Sequence, residues 1–490
     1  MELFGTAGIR GDVAERVTPE LALTVGRAVA TEARDRAREA GDIDCEVVVA
    51  RDGRVSGSAL AAAAEAGLAS GGAAVSRAGQ LPTPALAHAS QGRYGLMLTA
   101  SHNPPSDNGI KLFRDGVEFD RGLERAVEER VGAETAAAWD AWTTSERVDT
   151  LATYLADVVE YARGVDVGAE DATPGLDGLR VAVDCGNGMA GPATPTVLRE
   201  LGATVVTLNG NVDGHFPGRG SKPTPETVGD LRAFVADANA GVERPGRDGA
   251  GFAFGVAHDG DADRIVVVDA DGEVVHEDTV LAVLAERYVR ASGAGDPVVV
   301  TTPNASGRID ERVRAAGGRV ERVRLGAVHE GIDAVRRETA DNDDESAADT
   351  RVIFAAEPWK HVHTAFGGWI DGVCSAAVIA RLVAAHGLDS LRDPVTERPY
   401  RKASVACPDD RKTATMDRVT ARLPDAFPAA SVDTDHGVRL EFSDASWTLV
   451  RPSGTEPYVR VYAESDDVDA LIEAVRTVVE TAVEDATTER

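Results

Sequence analysis

One strand-and-turn unit recurs three times in this chain, and the recurrence constrains the fold more than any other feature. β-Branched runs end in polar, turn-forming segments at Val47-Val48-Val49-Ala50-Arg51-Asp52-Gly53, Val181-Ala182-Val183-Asp184-Cys185-Gly186-Asn187-Gly188 and Val298-Val299-Val300-Thr301-Thr302-Pro303-Asn304. Each is followed by a helical stretch and then by a second strand, beginning near Gly72, Gly202 and Gly318. After a variable interval comes a third apolar run, at residues 94–98, 252–257 and 352–355. Strands alternating with helices imply α/β sheets with crossover connections. The unequal intervals fit one topology carrying different insertions. Two insertions, 237–251 and the acidic 338–350, read as solvated loops.

A chain of 490 residues is too long for one core, and at roughly 150 residues per domain about three or four domains are expected. Beyond residue 395 or so the pattern changes. Strands are predicted at 438–442, 447–450 and 458–463, with the turn Arg451-Pro452-Ser453-Gly454-Thr455-Glu456-Pro457 between the last two and an amphipathic helix over 468–486. The predicted architecture is three similar α/β domains with mixed sheets plus a smaller C-terminal α+β domain, arranged around a central cleft. The expected divisions are 1–168, 169–273, 274–394 and 395–490.

Composition narrows the function. With 43% hydrophobic and 27% charged residues, disordered and fibrous classes are excluded. No apolar run reaches the roughly 18 to 20 residues that cross a bilayer, and the start shows no secretory pattern, so a cytoplasmic protein without a membrane partner is expected. A net charge of -30 argues against a nucleic-acid partner. Only five of the 51 basic residues are lysine: Lys111, Lys222, Lys360, Lys402 and Lys412. A heavy acidic load with so little lysine fits a protein kept soluble in concentrated salt, where screening shortens the Debye length to about 3 Å at 1 M. An acidic protein from a GC-rich genome would also favour arginine over lysine. The four cysteines form no CxxC pair, so reduced, structural thiols are expected rather than zinc ligands or disulfides.

The loops that follow the three third strands carry the chemistry, since ligand sites in α/β sheets gather at the carboxyl ends of strands. The second of them is His258-Asp259-Gly260-Asp261-Ala262-Asp263-Arg264. Carboxylates alternating this closely repel one another unless a cation sits among them, and an all-oxygen set suits Mg²⁺ or Ca²⁺. An EF-hand would need Gly and Glu where Arg264 and Ala270 stand. The first loop, Thr99-Ala100-Ser101-His102-Asn103-Pro104-Pro105, presents Ser101 as a nucleophile or as a plain turn residue. No nucleophile elbow surrounds it. A serine that carries phosphate and completes a Mg²⁺ shell would join both loops in one site. Arg451, Ser453, Gly454 and Thr455 have the makings of an anion clamp: a guanidinium fork, hydroxyls and a glycine that lets backbone N–H groups approach. Gly5-Thr6-Ala7-Gly8-Ile9-Arg10-Gly11 is a second small-residue loop ending in arginine, and no P-loop is present.

At these residues, in this order along the whole chain, the sequence resembles the α-D-phosphohexomutase family, which includes phosphoglucomutase, phosphomannomutase and phosphoglucosamine mutase. Asn108-Gly109-Ile110-Lys111 is phrased as in phosphoglucosamine or mixed archaeal-type mutases. The resemblance implies four domains, three alike, and a Mg²⁺-dependent enzyme acting on a small-molecule hexose phosphate. It implies a phosphoserine at Ser101 that gives up its phosphate, a hexose 1,6-bisphosphate that turns around in the cleft, and net movement of phosphate between C1 and C6. Asp259, Asp261 and Asp263 match the metal ligands, with Ser101 completing the shell. Arg10 and Arg264 match residues that stabilise the transferring group, and His102 and Lys111 match candidates for proton transfer and phosphate contact. Arg451, Ser453, Gly454 and Thr455 match the clamp on the other phosphate, carried by a mobile last domain. The family's sugar loop, G-E-x-S-G-H, is here Ala356-Glu357-Pro358-Trp359-Lys360-His361. Glu357 and His361 fit, whereas Trp359 and Lys360 replace the serine and glycine, so that a ring face or a charge is offered to sugar or phosphate instead. A non-catalytic sugar-phosphate-binding relative and a Mg²⁺-dependent phosphatase are the alternatives, and the chain is expected as a monomer or homodimer.

Overall fold

A computed structural model of the chain describes residues 3–5, 8–40, 45–132, 136–169, 175–240, 251–340, 349–453 and 456–488. The first repeat contains β1 (Ile9–Asp12), α1 (Pro19–Ala40), β2 (Glu46–Arg51), α2 (Gly57–Gly71), β3 (Ala74–Gln80), α3 (Thr83–Ala89), β4 (Tyr94–Leu98), β5 (Asp107–Arg114), β6 (Val117–Glu118), α4 (Arg121–Arg130), β7 (Ser145–Arg147) and α5 (Leu151–Gly164). Its strands run β1-β5-β4-β2-β3-β7, with β6 beside β5. The pairs from β4 to β7 are parallel, while β4–β5 and β5–β1 are antiparallel. Val47, Val49, Leu96 and Leu98 are buried against α1 and α2 residues such as Val25, Ala64 and Leu68. Continuous burial on both faces explains why these strands read as unbroken apolar runs.

The second repeat contains β8 (Arg180–Asp184), α6 (Thr194–Glu200), β9 (Thr204–Leu208), α7 (Gly229–Asn239), β10 (Phe254–Ala257) and β11 (Val266–Val268). Its sheet runs β11-β10-β8-β9, again mixed, with β11 antiparallel. The third repeat follows the same order: α8 (Glu277–Ala291), β12 (Asp296–Thr301), α9 (Gly307–Ala315), β13 (Arg319–Arg322), α10 (Val328–Ala340), β14 (Thr350–Glu357), β15 (Lys360–Val362) and α11 (Gly372–His386). β12 and β13 pair in parallel, and β14 and β15 form a hairpin. Most of the two expected solvated insertions lies at 241–250 and 341–348, outside the described residues.

After the short α12 (Leu388–Arg392), the C-terminal part consists of β16 (Tyr400–Ala406), α13 (Lys412–Ala426), β17 (Ser431–Asp433), β18 (Val438–Glu441), β19 (Trp447–Pro452), β20 (Tyr458–Glu464) and α14 (Val468–Thr488). Its sheet, β16-β20-β19-β18-β17, is wholly antiparallel. The mixed sheets and the distinct last domain are as the sequence predicts. All four cysteines are free thiols, and no described helix is long and apolar enough to cross a membrane.

The chain groups into two compact units, Met1–Glu277 with Ile353–Leu391, and Asp278–Val352 with Arg392–Arg490. Inside the first, α11 is tied to α5. Asp371 caps α11 by accepting from the Cys374 N–H, and it also accepts from the Tyr154 hydroxyl at 2.8 Å and the Trp369 indole at 3.0 Å. Inside the second, Arg308 of α9 is buried and donates to Glu464 of β20 at 2.6 Å and to Thr279 at 2.9 Å, while the Trp447 indole donates to the other oxygen of Glu464 at 2.7 Å. Breaking a buried pair from one side leaves an uncompensated charge. Arg308→Met is therefore expected to destabilise the protein by about 3–5 kcal/mol in denaturant unfolding, with part of the loss recovered on adding Glu464→Gln.

Candidate active site

The site is built where the first two repeats' third strands end. Beyond β4 the chain turns sharply, and Ser101 sits in the left-handed region at φ 51, a conformation that costs a non-glycine residue about 1–2 kcal/mol. Neighbouring groups fix it there. The Ser101 N–H donates to Thr99 Oγ1 at 2.9 Å, and the Thr99 hydroxyl donates to Asp52 Oδ2 at 2.8 Å. The Ser101 hydroxyl then donates to Asp259 Oδ2 at 2.7 Å and lies 3.3 Å from His102 Nδ1. The approach of the two loops requires a glycine: a Cβ at Gly260 would stand 2.6 Å from the Ser101 carbonyl oxygen.

The Asp259–Asp263 loop leaves β10, and the His258 ring ties its far end to α6. The ring's Nδ1 lies 2.8 Å from the Arg264 carbonyl oxygen and its Nε2 lies 3.0 Å from Thr194 Oγ1. Burial pushes the His258 imidazole down to about 4, so it stays neutral. Asp259, Asp261 and Asp263 are buried, and one carboxylate oxygen from each lies within 4.8 Å of the other two. Burial, followed by the neighbouring Asp263 and Asp261, raises Asp259 far above the ordinary carboxylate range. Burial would raise Asp263 too, but Lys111, Lys360 and Arg264 outweigh it and hold Asp263 well below that range. Lys111, on β5, is itself buried; the desolvation that would lower it is overcome by Asp263, Glu118 and Asp261, which hold it above its usual value. Its ammonium donates to Asp263 Oδ2 at 3.0 Å and lies 3.8 Å from Asp261.

A metal fits these residues. Asp261 Oδ1 and Asp263 Oδ1 are buried with no hydrogen-bond partner, and they belong to a convergent, all-oxygen set whose charges oppose one another. Those are the conditions a hard divalent cation such as Mg²⁺ relieves. Asp261 Oδ2 is oriented by the Thr83 hydroxyl at 2.7 Å.

The cations gather on the same site. Arg264 Nε lies 3.6 Å from Asp259 and 3.8 Å from Asp263. Arg10 is on β1, paired opposite Gly109, where any side chain would collide with the Ile9 and Thr99 carbonyls. Burial, then Arg264 and Arg10, push His102 down to about 2, which makes it a neutral acceptor rather than an acid. Lys360 adds its charge to both His102 and Asp263 and pairs with Glu357 at 3.5 Å.

The altered sugar loop closes the β14–β15 hairpin. Glu357 pairs with Lys360 across a two-residue turn in which Pro358 comes first and Trp359 takes φ 73, the position usually given to glycine. The Trp359 carbonyl accepts from the Ile265 N–H at 3.0 Å, and its ring packs on the cluster that includes Val266 and Val268. His361 is buried beside Ser375, 3.1 Å from its hydroxyl, and burial pushes it down to about 3.

The expected anion clamp lies in the other compact unit. Arg451 donates to the Tyr462 hydroxyl at 2.9 Å, and the Ser453 N–H donates to the Tyr458 carbonyl at 2.9 Å. Lys412 holds this turn by donating to the Ser453 and Glu456 carbonyls at 2.5 and 2.7 Å. Gly454 and Thr455, like Thr6 and Ala7 of the first loop, are outside the described residues.

The structure thus brings Ser101, His102, Lys111, Arg10, Arg264 and the three aspartates together, with Glu357 and Lys360 beside them. Asp52, Arg54, Thr83, Thr99 and Lys412 are supporting residues that the sequence reading did not nominate. Asp52 and Arg54 were within reach of it, because they follow the carboxyl end of β2 in the first repeated turn.

Comparisons with known proteins identify the family. The family described as phosphoglucomutase/phosphomannomutase matches with its alpha/beta/alpha domain I at residues 1–138, its alpha/beta/alpha domain II at 152–272 and its C-terminal domain at 404–482. A phosphopentomutase of Thermococcus kodakarensis is 39% identical over 99% of this chain and 99% of its own length. A probable phosphoglucosamine mutase of Methanopyrus kandleri is 38% identical, covering 97% and 98%. The crystal structure of a phosphoglucomutase/phosphomannomutase family protein from Burkholderia thailandensis is 27% identical and superposes with a TM-score of 0.78 over 100% of this chain and 98% of that one. With the family's domains matched over most of its length and near-full-length relatives of this identity, the chain belongs to the phosphoglucomutase/phosphomannomutase, or α-D-phosphohexomutase, family.

Proposed function

We propose that this protein is a Mg²⁺-dependent mutase that moves phosphate between C1 and C6 of a hexose phosphate through phosphoserine at Ser101 and a hexose 1,6-bisphosphate. The observation that carries the reading is the 2.7 Å hydrogen bond from the Ser101 hydroxyl to Asp259, which joins a serine of one repeat to the carboxylate triplet of the next. In the first half-reaction a sugar hydroxyl oxygen attacks the phosphorus on Ser101. The P–Oγ bond breaks, the sugar hydroxyl loses its proton and Ser101 recovers one. After the bisphosphate has turned, Ser101 Oγ attacks the other phosphorus and the sugar oxygen leaves with a proton. Arg10, Arg264 and Lys111 supply positive charge where the phosphoryl oxygens pass. His102, held as a neutral imidazole 3.3 Å from Ser101 Oγ, is suited to accept a proton. When bound by Asp259, Asp261, Asp263 and Ser101, Mg²⁺ would neutralise charge on the transferring group.

Glucosamine phosphate is the first substrate to test, because phosphoglucosamine mutase is the name most relatives carry. A pentose phosphate is the second reading, favoured by the phosphopentomutase relative and by a hairpin that offers Lys360 and a packed Trp359 where the family pattern has glycine and serine. Coupled assays of glucosamine, glucose, mannose and ribose phosphates, in high KCl with a trace of the bisphosphate, are expected to show interconversion without net phosphate release. The purified protein is expected to carry about 80 Da of phosphate on Ser101, and Ser101→Ala to lose turnover by about 10³-fold or more. Binding without interconversion would instead identify a non-catalytic relative, and net release a phosphatase.

Removing Mg²⁺ with a chelator is expected to abolish turnover. Asp261→Asn is expected to weaken Mg²⁺ binding in calorimetry by at least about tenfold; unchanged binding would remove the triplet from the metal site.

The acidic, lysine-poor composition is further proposed to reflect salt adaptation. The thermal midpoint is expected to rise between about 0.1 and 2 M KCl as self-repulsion is screened, and a flat or falling midpoint would contradict it.

A further inference from the structure

The guanidinium of Arg54 lies directly behind the serine loop and contributes nothing to the open side of the site. It is buried, and every N–H it has is spent on protein. Nε donates to Asp52 Oδ2 at 3.0 Å. One terminal nitrogen donates to the carbonyls of Pro104 and Asp107 at 2.5 and 2.8 Å, and the other to those of Ser101 and Asn103 at 2.9 and 2.8 Å. Four carbonyls of a single seven-residue loop therefore converge on one cation. Asp52 anchors the cation and also accepts from Thr99, whose hydroxyl oxygen in turn accepts the Ser101 N–H. The second repeat seals the arrangement. The Phe216 ring lies 5.2 Å from the guanidinium, and the Ser221 hydroxyl donates to the Asn103 carbonyl at 2.9 Å.

We propose that Arg54, anchored by Asp52, is a positioning residue for phosphoryl transfer: it gathers the carbonyls of residues 101–107 and so holds Ser101 in its left-handed conformation with Oγ on Asp259. It does not bind phosphate, because it has no donor left to offer. A lysine would keep the charge but has a single nitrogen, which cannot reach four carbonyls and a carboxylate at once. The loop would then relax from its strained geometry, and Ser101 Oγ would leave the line of transfer.

This inference rests on the mutase reading, and the test separates the two. Arg54→Lys and the milder Thr99→Val, which removes one link of the chain while keeping side-chain shape, are compared with the unaltered protein. Both variants are expected to fold, with circular dichroism unchanged. Turnover and the rate of Ser101 phosphorylation by the 1,6-bisphosphate are expected to fall about 100-fold in Arg54→Lys, with KM for the sugar phosphate held within about threefold. Hydrogen exchange at residues 99–107 is expected to accelerate at least about tenfold while the rest of the first repeat keeps its protection. Unaltered turnover, a loss carried mainly by KM, or unaltered exchange in the loop would each overturn the positioning role. An inactive unaltered protein would count against the mutase reading, and the exchange measurement would still decide the role of Arg54 in holding the loop.

Discussion

Three carboxylates packed within 4.8 Å of one another, out of contact with water, are the constraint around which the first compact unit is organised. Mutual repulsion and lost hydration oppose such a cluster, and it persists only where positive charge is built in beside it. Lys111, Arg264 and Lys360 provide that charge, and they come from three separate stretches of chain: β5, the loop itself and the hairpin after β14. The counter-charge is incomplete, since Asp259 is pushed upward while Asp263 is pushed down. An unevenly compensated, all-oxygen set is suited to a divalent cation, whose charge would remove the imbalance.

The serine loop and the aspartate loop nearly touch: Gly260 lies against the Ser101 carbonyl, and Ser101 takes a positive φ. Side chains on the far side hold the strain in place. Arg54 has no donor left over, and Arg219 plays a matching part in the second repeat by bonding Asp184 at 2.6 Å and the His258 carbonyl at 2.6 Å. Arg10, Arg264 and Arg451 differ in keeping a buried Nε without a hydrogen-bond partner. Arg34, Arg322 and Arg476 share that feature elsewhere, so an unspent donor alone does not mark a binding residue. At Arg10 and Arg264 it coincides with the carboxylate cluster, and the combination carries the meaning.

Much of this was legible in the sequence because the informative residues are close together along the chain. The Asp259-Asp261-Asp263 alternation is local, and so is the repeated strand-and-turn pattern that predicts mixed α/β sheets. The supports were harder to see because they act across long separations. Thr83 orients Asp261 from 178 positions away, and Arg54 reaches the Ser101 carbonyl across 47. Nothing local marks Thr83, and for Arg54 the only local signal is its place just after the carboxyl end of β2. Trp359 shows the opposite difficulty. A tryptophan in a sugar loop suggests a stacking face, yet its ring packs against the second repeat's core, and the charged groups of that turn are Glu357 and Lys360. Residue type is readable in a sequence; side-chain direction at a strained turn is set by tertiary packing.

The second compact unit joins two separate stretches of the chain, residues 278–352 and 392–490. Within that unit the last sheet is joined to residues 278–352 by buried charge. Arg308 spans Thr279 and Glu464, and Arg439 donates to the Pro303 and Ala305 carbonyls while lying 4.2 Å over the Trp447 ring. Freeing the sheet from residues 278–352 would strand both Glu464 and Arg308 in a buried setting, at a cost of about 3–5 kcal/mol for that pair alone. A displacement of that cost would be populated less than about once in a hundred molecules. The last sheet and residues 278–352 therefore hold together as one unit, through contacts with α9 and with the segment that follows β12.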